Sequence, residues 1–129
     1  MIQRFIELGE GYSDIYELFE LAKSNRHRLA HLLMLRTTKK EQTTASFVVV
    51  LHPTPEGDFQ PLYICREGIT YNPEKPSKRI ELFEQLAEEL NKKVITLDVK
   101  SSDVYAEREL YYQHLIGILR MNRYIPSMQ

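Results

Sequence analysis

Three apolar stretches dominate the middle of the chain: LAHLLMLRT (29–37), ASFVVVLHP (45–53) and PLYICREG (61–68). Each has the length of a strand and is too short for an independent helix. The polar segment TKKEQTT separates the first two, and the proline-punctuated PTPEGD separates the second from the third. Apolar runs bounded by turn residues predict a three-stranded antiparallel meander. With period two, Leu29, His31, Leu33 and Leu35 fall on one face of the first strand, and Ala30, Leu32 and Met34 on the other. Phe47, Val49 and Leu51 oppose Val48 and Val50 on the second. Strands apolar on both faces must be covered on both. TKKEQTT has no glycine and is expected to form a long exposed ribbon end. Pro61 lacks an N–H, which places it at the start or edge of its strand.

The flanks supply the cover. Ile2–Leu8 reads as an edge strand, interrupted by Gln3, Arg4 and Glu7. SDIYELFELAKSN carries Ile15, Leu18, Phe19 and Ala22 at helical spacing, with Asp14 and Glu17 as a capping pair and Asn25 as a stop. Ser77 caps a second helix, KRIELFEQLAEELNKK, with Ile80, Phe83, Ala87 and Leu90 as its stripe and Asn91 at its end. VITLDV (94–99) is a strand expected to lie parallel to the meander. Ser101, Ser102 or Asp103 caps a last helix running to about Arg123. The loop Gly68–Ser77 contains Pro73 and Pro76, which keep it from being helical. The order is β-α-β-β-β-α-β-α: an α/β (α+β) fold with one mixed sheet and helices packed on it.

Residues 1–129 make one domain of ordinary size, able to bury about two-thirds of its unfolded surface. Hydrophobic residues are 43% and charged residues 27% of the chain, which excludes disorder throughout. The formal net charge of −1 gives no electrostatic footprint for nucleic acid or an acidic membrane. Cys65 is the single cysteine and has no internal partner, which fits a reducing cytoplasm. The start of the chain lacks a basic flank followed by an apolar core, and no apolar run is long enough to cross a bilayer.

Recognisable chemistry is sparse. There is no GxSxG elbow, Walker loop or GxGxxG, so no cofactor is expected. His27, His31, His52 and His114 show no HxH or HExxH spacing, so no metal ligand is assigned. Eight tyrosines are present. Tyr105, Tyr112 and Tyr124, with Met121, are expected to form an exposed aromatic patch on the last helix, suited to a partner or a second copy.

From the first helix onward, the order α-β-β-β-α-β resembles the core of the PD-(D/E)XK nuclease-like fold. That resemblance implies a divalent-metal site on Glu56, Asp58 and Glu67. The motif departs from the pattern, because the third strand holds Arg66 before Glu67 and no lysine two residues on. MIQRFIELGEGYSDIYELFELA, FVVVLHPTPEG and LYICREGI together resemble a family of short uncharacterised proteins from bacilli. Members sometimes carry the label methylthioribose kinase, which this chain does not support: it is far shorter than such kinases and has no nucleotide loop.

These readings lead to one expectation and two alternatives. The expectation is a small cytoplasmic bacterial protein without catalysis, a protein-interaction or regulatory module acting as a homodimer or on a protein partner. It has no cofactor, no membrane role and no nucleic-acid role. The first alternative is a divalent-metal phosphodiesterase, or a degenerate relative of the nuclease-like fold. The second is a small-ligand sensor with Gly68–Ser77 as its lid.

Overall fold

The meander is present and central. In the computed structural model β1 is Ile2–Glu10, β2 Leu29–Lys39, β3 Gln42–Leu51, β4 Phe59–Thr70 and β5 Val94–Asp98. Described are residues 2–10, 15–53, 59–75 and 77–126, with backbone alone at Gly9, Glu10, Glu67 and Gly68. β3 pairs antiparallel with both β2 and β4. β1 adds parallel to β4, and β5 adds parallel to β2, as the helix–strand pair before it predicts. The described sheet is therefore β1-β4-β3-β2-β5, with β3 alone running against the rest.

Topology explains the layering. The connection from β1 to β2 and that from β4 to β5 each skip two strands in the same direction across the sheet. Parallel crossovers share one hand, so helices α1 (Ile15–Ser24) and α2 (Lys78–Glu89) fall on the same face. They bury Ile15, Leu18, Phe19, Ile80, Phe83 and Leu86 against Leu32, Met34, Phe47, Val49 and Cys65. Phe83 stacks on Phe47 with centroids 4.5 Å apart and on Phe19 at 6.0 Å, tying both helices to the central strand. Helix α3 (Arg108–Met121) follows β5 and covers the other face with Tyr111, Tyr112, Leu115 and Leu119 over Phe5, Leu33, Leu35, Val48, Val50, Leu62 and Ile64. Cys65 is a buried, apolar-packed thiol in the first of these layers.

Local signals behave as their chemistry requires. The Ser77 hydroxyl accepts from Arg79 N–H at 3.1 Å, capping α2. Asn91, at φ 57°, ends it: Asn91 N–H donates to the Glu88 carbonyl and Lys92 N–H to that of Ala87, the paired bonds of a Schellman turn. Arg123, at φ 61°, ends α3 in the same way and turns Tyr124 back toward the sheet.

Four expectations are corrected and one is sharpened. A bulge between Leu29 and His31 breaks the period-two alternation, so Leu29 joins the α1–α2 layer while Ala30 joins Leu33 and Leu35 under α3. The expected long exposed ribbon end is present: β2 and β3 stay paired as far as Lys39 and Gln42, residues 38–42 are exposed, and Lys40 and Glu41 form a two-residue turn at φ 51° and 66°. Pro61 lies inside β4, paired with Arg4. It is tolerated there because the next step of the β3–β4 register sets it opposite Leu51, whose carbonyl accepts instead from Gln60 Nε2 at 3.1 Å. β4 runs on to Thr70, so the loop begins at Tyr71 rather than Gly68. The last helix starts at Arg108, because Ser101–Asp103 uses its side chains locally and a separate 3-10 turn forms at Ser102–Val104. Asp14 and the turn residues 54–58 lie outside the described residues.

Candidate functional site

The expected aromatic patch divides. Tyr112 is 8% exposed, stacked on Phe5 at 5.0 Å, with its hydroxyl donating to Glu7 Oε1 at 2.7 Å. Burial first, and the Glu7 carboxylate second, push that phenol's pKa upward. Tyr112 belongs to the core because it sits on the stripe of α3 that meets β1. Tyr105 is half-buried against Tyr111 and His114, and Tyr124 against His31. Met121 alone of the four is largely exposed, at 85%.

The carboxylate set is not brought together by anything described. Glu56 and Asp58 lie outside the described residues. Glu67 is placed by its backbone only, eight residues past the start of β4, about 25 Å along the strand at ~3.3 Å per residue. Its neighbour Arg66 is buried and ion-paired with Glu7 across the β1–β4 pair, with Nη1 also 3.4 Å from the Ser102 hydroxyl. Arg108 adds a 2.8 Å pair to Glu7. β4 bulges here, with Ser46 facing three residues of β4 between the Phe47–Cys65 and Ala45–Ile69 pairs. The polar cluster thus pins α3 and its preceding turn to β1 and β4. No group of three metal-ligand side chains occurs among the described residues.

His31 and His52 line one cleft of about 430 Å³ with Gln60 and Tyr124. Burial, then the charges of Lys92 and His52, hold His31 below the ordinary histidine pKa, partly offset by its bond to the Tyr124 backbone. Gln60, which lines the cleft, is part of a relay: Arg120 Nε donates to Gln3 Oε1 (2.7 Å), Gln3 Nε2 to Gln60 Oε1 (2.9 Å), and Gln60 Nε2 to the Leu51 carbonyl. This is architecture, holding β1, β4, β3 and α3 together.

The opposite layer presents a groove of about 300 Å³ between α1 and α2, lined by Tyr16, Phe19, Lys23, Leu82, Leu86 and Glu89. Tyr16 is 53% exposed although aromatic, and Phe19 forms the floor at its side, 6.0 Å away edge-on. The solvent-facing surfaces of the two helices carry Glu17, Glu20, Glu81, Glu84, Glu88 and Glu89. Against them stand Lys23, Lys78 and Arg79, so these helices hold a net −3 where the whole chain holds −1. Of these charged residues Lys23 and Glu89 line the groove itself, beside Gln85, so the lining is mixed and the excess negative charge belongs to the helices as a whole; such a surface suits apolar groups presented beside cations. Leu86 also belongs to the core beneath the groove, and Leu82 packs against that core. The exposed Tyr16 on an otherwise polar helix face was the available signal.

The architecture is that of a small α/β domain with one mixed sheet. The chain belongs to the family described as Domain of unknown function (DUF7147), whose model matches residues 1–125. No curated protein and no solved structure matches it. No helix among the described residues is long and apolar enough to cross a membrane.

Proposed function

We propose that the protein is a non-catalytic interaction module that binds a basic amphipathic segment of another protein in the groove between α1 and α2. The observation that supports this is a groove with Tyr16 exposed at its edge and Phe19, Leu82 and Leu86 along it, set between two helices that together carry a net −3. An amphipathic helix docks its apolar stripe in such a trough and its flanking lysines or arginines on the rim. The charge also selects among occupants. A second copy docked groove to groove would bring together two helix pairs that each carry a net −3, so the protein-partner form of the expectation is favoured at this face over the homodimer.

A dye-labelled helical peptide of alternating lysine and leucine faces is the test probe, followed by fluorescence anisotropy. Binding is expected to weaken with salt, as rim charges require. Tyr16→Ala should cost about tenfold, or about 1.4 kcal/mol. The double reversal Glu88→Lys, Glu89→Lys should cost more. Binding that is absent, or unchanged in both variants, rejects the reading. Light scattering on a sizing column tests self-association independently.

A further inference from the structure

We propose that a second cleft, between the β2–β3 hairpin and the turn after β5, binds a small phosphomonoester through its phosphate group. The cleft holds about 300 Å³ and is lined by Thr37, Lys39, Lys40, Gln42, Thr44, Ser101 and Asp103. It lies near the carboxyl ends of β2 and β5, the end of a parallel pair at which ligands usually bind. It is separate from the α1–α2 groove, being on the face that α3 covers.

Thr37 carries the argument. It is 3% exposed, yet its hydroxyl has no hydrogen-bond partner among the described residues. A buried, unanswered hydroxyl is uncommon in folded proteins and calls for a missing group. The register sets Thr37 directly opposite Thr44, so two hydroxyl-bearing strand residues meet in the cleft wall. Lys39 and Lys40 bring two ammonium groups from the hairpin tip. Hydroxyl donors beside lysines are the usual recognition set for phosphate oxygens.

The cleft already holds an oxyanion of its own. Asp103 is ion-paired with Lys39 and accepts from the Ser101 hydroxyl. Its carboxylate is kept ionised by those two bonds, Lys39 first. An incoming phosphate competes with it for Lys39, and its release frees the 3-10 turn Ser102–Val104 from the hairpin. The volume suits one small molecule.

Calorimetry and thermal melting with inorganic phosphate and glycerol 2-phosphate test this, at constant ionic strength with chloride as the control. The expected result is a saturable heat and a saturable rise in Tm, stronger for the monoester. Asp103→Asn removes the competitor and should tighten binding several-fold. Thr37→Val and Lys39→Ala should each weaken it at least tenfold, while both proteins still melt cooperatively. Phosphate also stabilises proteins generally by exclusion from their surface. A non-saturating Tm rise, equal in wild type and all three variants, is that effect and overturns the proposal. Absence of heat at millimolar ligand overturns it as well, as does binding that Thr37→Val leaves intact.

Discussion

Gln60 and Thr37 are both buried polar residues on the sheet face under α3, at opposite ends of the parallel strands. Gln60 is fully engaged: it receives from Gln3, donates to the Leu51 carbonyl, and so repairs the ladder bond that Pro61 cannot make. Thr37 makes no such bond among the described residues, although it is equally hidden from water. A buried polar group with partners specifies architecture, and one without them is a cost that needs another explanation. The difference separates a structural end of the molecule from an end available for ligand.

Both ends rest on the same central strand, and breaking that strand should cost most. Phe47 is fully buried and stacked on Phe83. Phe47→Ala is expected to lose about 3–5 kcal/mol in urea denaturation, a large share of the ~5–15 kcal/mol typical of a whole domain. A loss below about 1 kcal/mol would remove the packing on which the comparison depends.

Gln60→Met tests the engaged end itself. The substitution keeps length and volume but deletes the donor to Leu51, leaving a buried carbonyl unanswered at a cost of about 1–3 kcal/mol. A variant as stable as wild type would show that water reaches Leu51, and that this end is no more closed than the other.

His31 gives the same end a pH dependence. Its pKa is lowered in the folded protein, so between that value and 6.5 the unfolded chain binds more protons than the folded one. Stability is therefore expected to fall as pH drops below 6.5, and to level off once His31 is protonated in both states. Thermal melts of wild type and His31→Gln between about pH 5 and pH 8 check it. If the variant keeps the full acid-side slope, His31 is not its source.

Much of this architecture is legible in the sequence. Apolar runs with proline and polar breaks give the meander, and the helix stripes Ile15–Ala22 and Ile80–Ala87 give the α1–α2 layer. What escapes is whatever depends on tertiary register. The bulge at Ala30 has no local signature, so a two-residue alternation misplaces Leu29. Tyr112 looks like a surface aromatic until β1 supplies Phe5 and Glu7, from more than a hundred residues away. Gln3 and Arg66 do break apolar strands in the sequence, and such interruptions mark the polar contacts, whereas Gln60 precedes the stretch that reads as a strand. They do not say which interruption finds a partner, since a strand pattern names a face but not its neighbour. Thr37 reads in the sequence as the end of a strand, and its isolation emerges only with the cross-strand neighbour, Thr44.

Thr37→Val is expected to have the smallest effect on the free protein and the opposite sign. Valine matches threonine in shape and suits a strand, and it removes a hydroxyl that is buried without a partner. The free protein should therefore gain up to about 1 kcal/mol, where Gln60→Met loses stability. Parallel urea titrations of the two variants give the comparison directly. A loss of more than about 1 kcal/mol in Thr37→Val would mean that the hydroxyl is already bonded in the folded state. The two ends would then be alike, and the reason for seeking a ligand at the hairpin would disappear. A gain, by contrast, leaves a residue that lowers stability at a cleft where two lysines and a displaceable carboxylate converge. That is the expected mark of a position retained for binding rather than for folding.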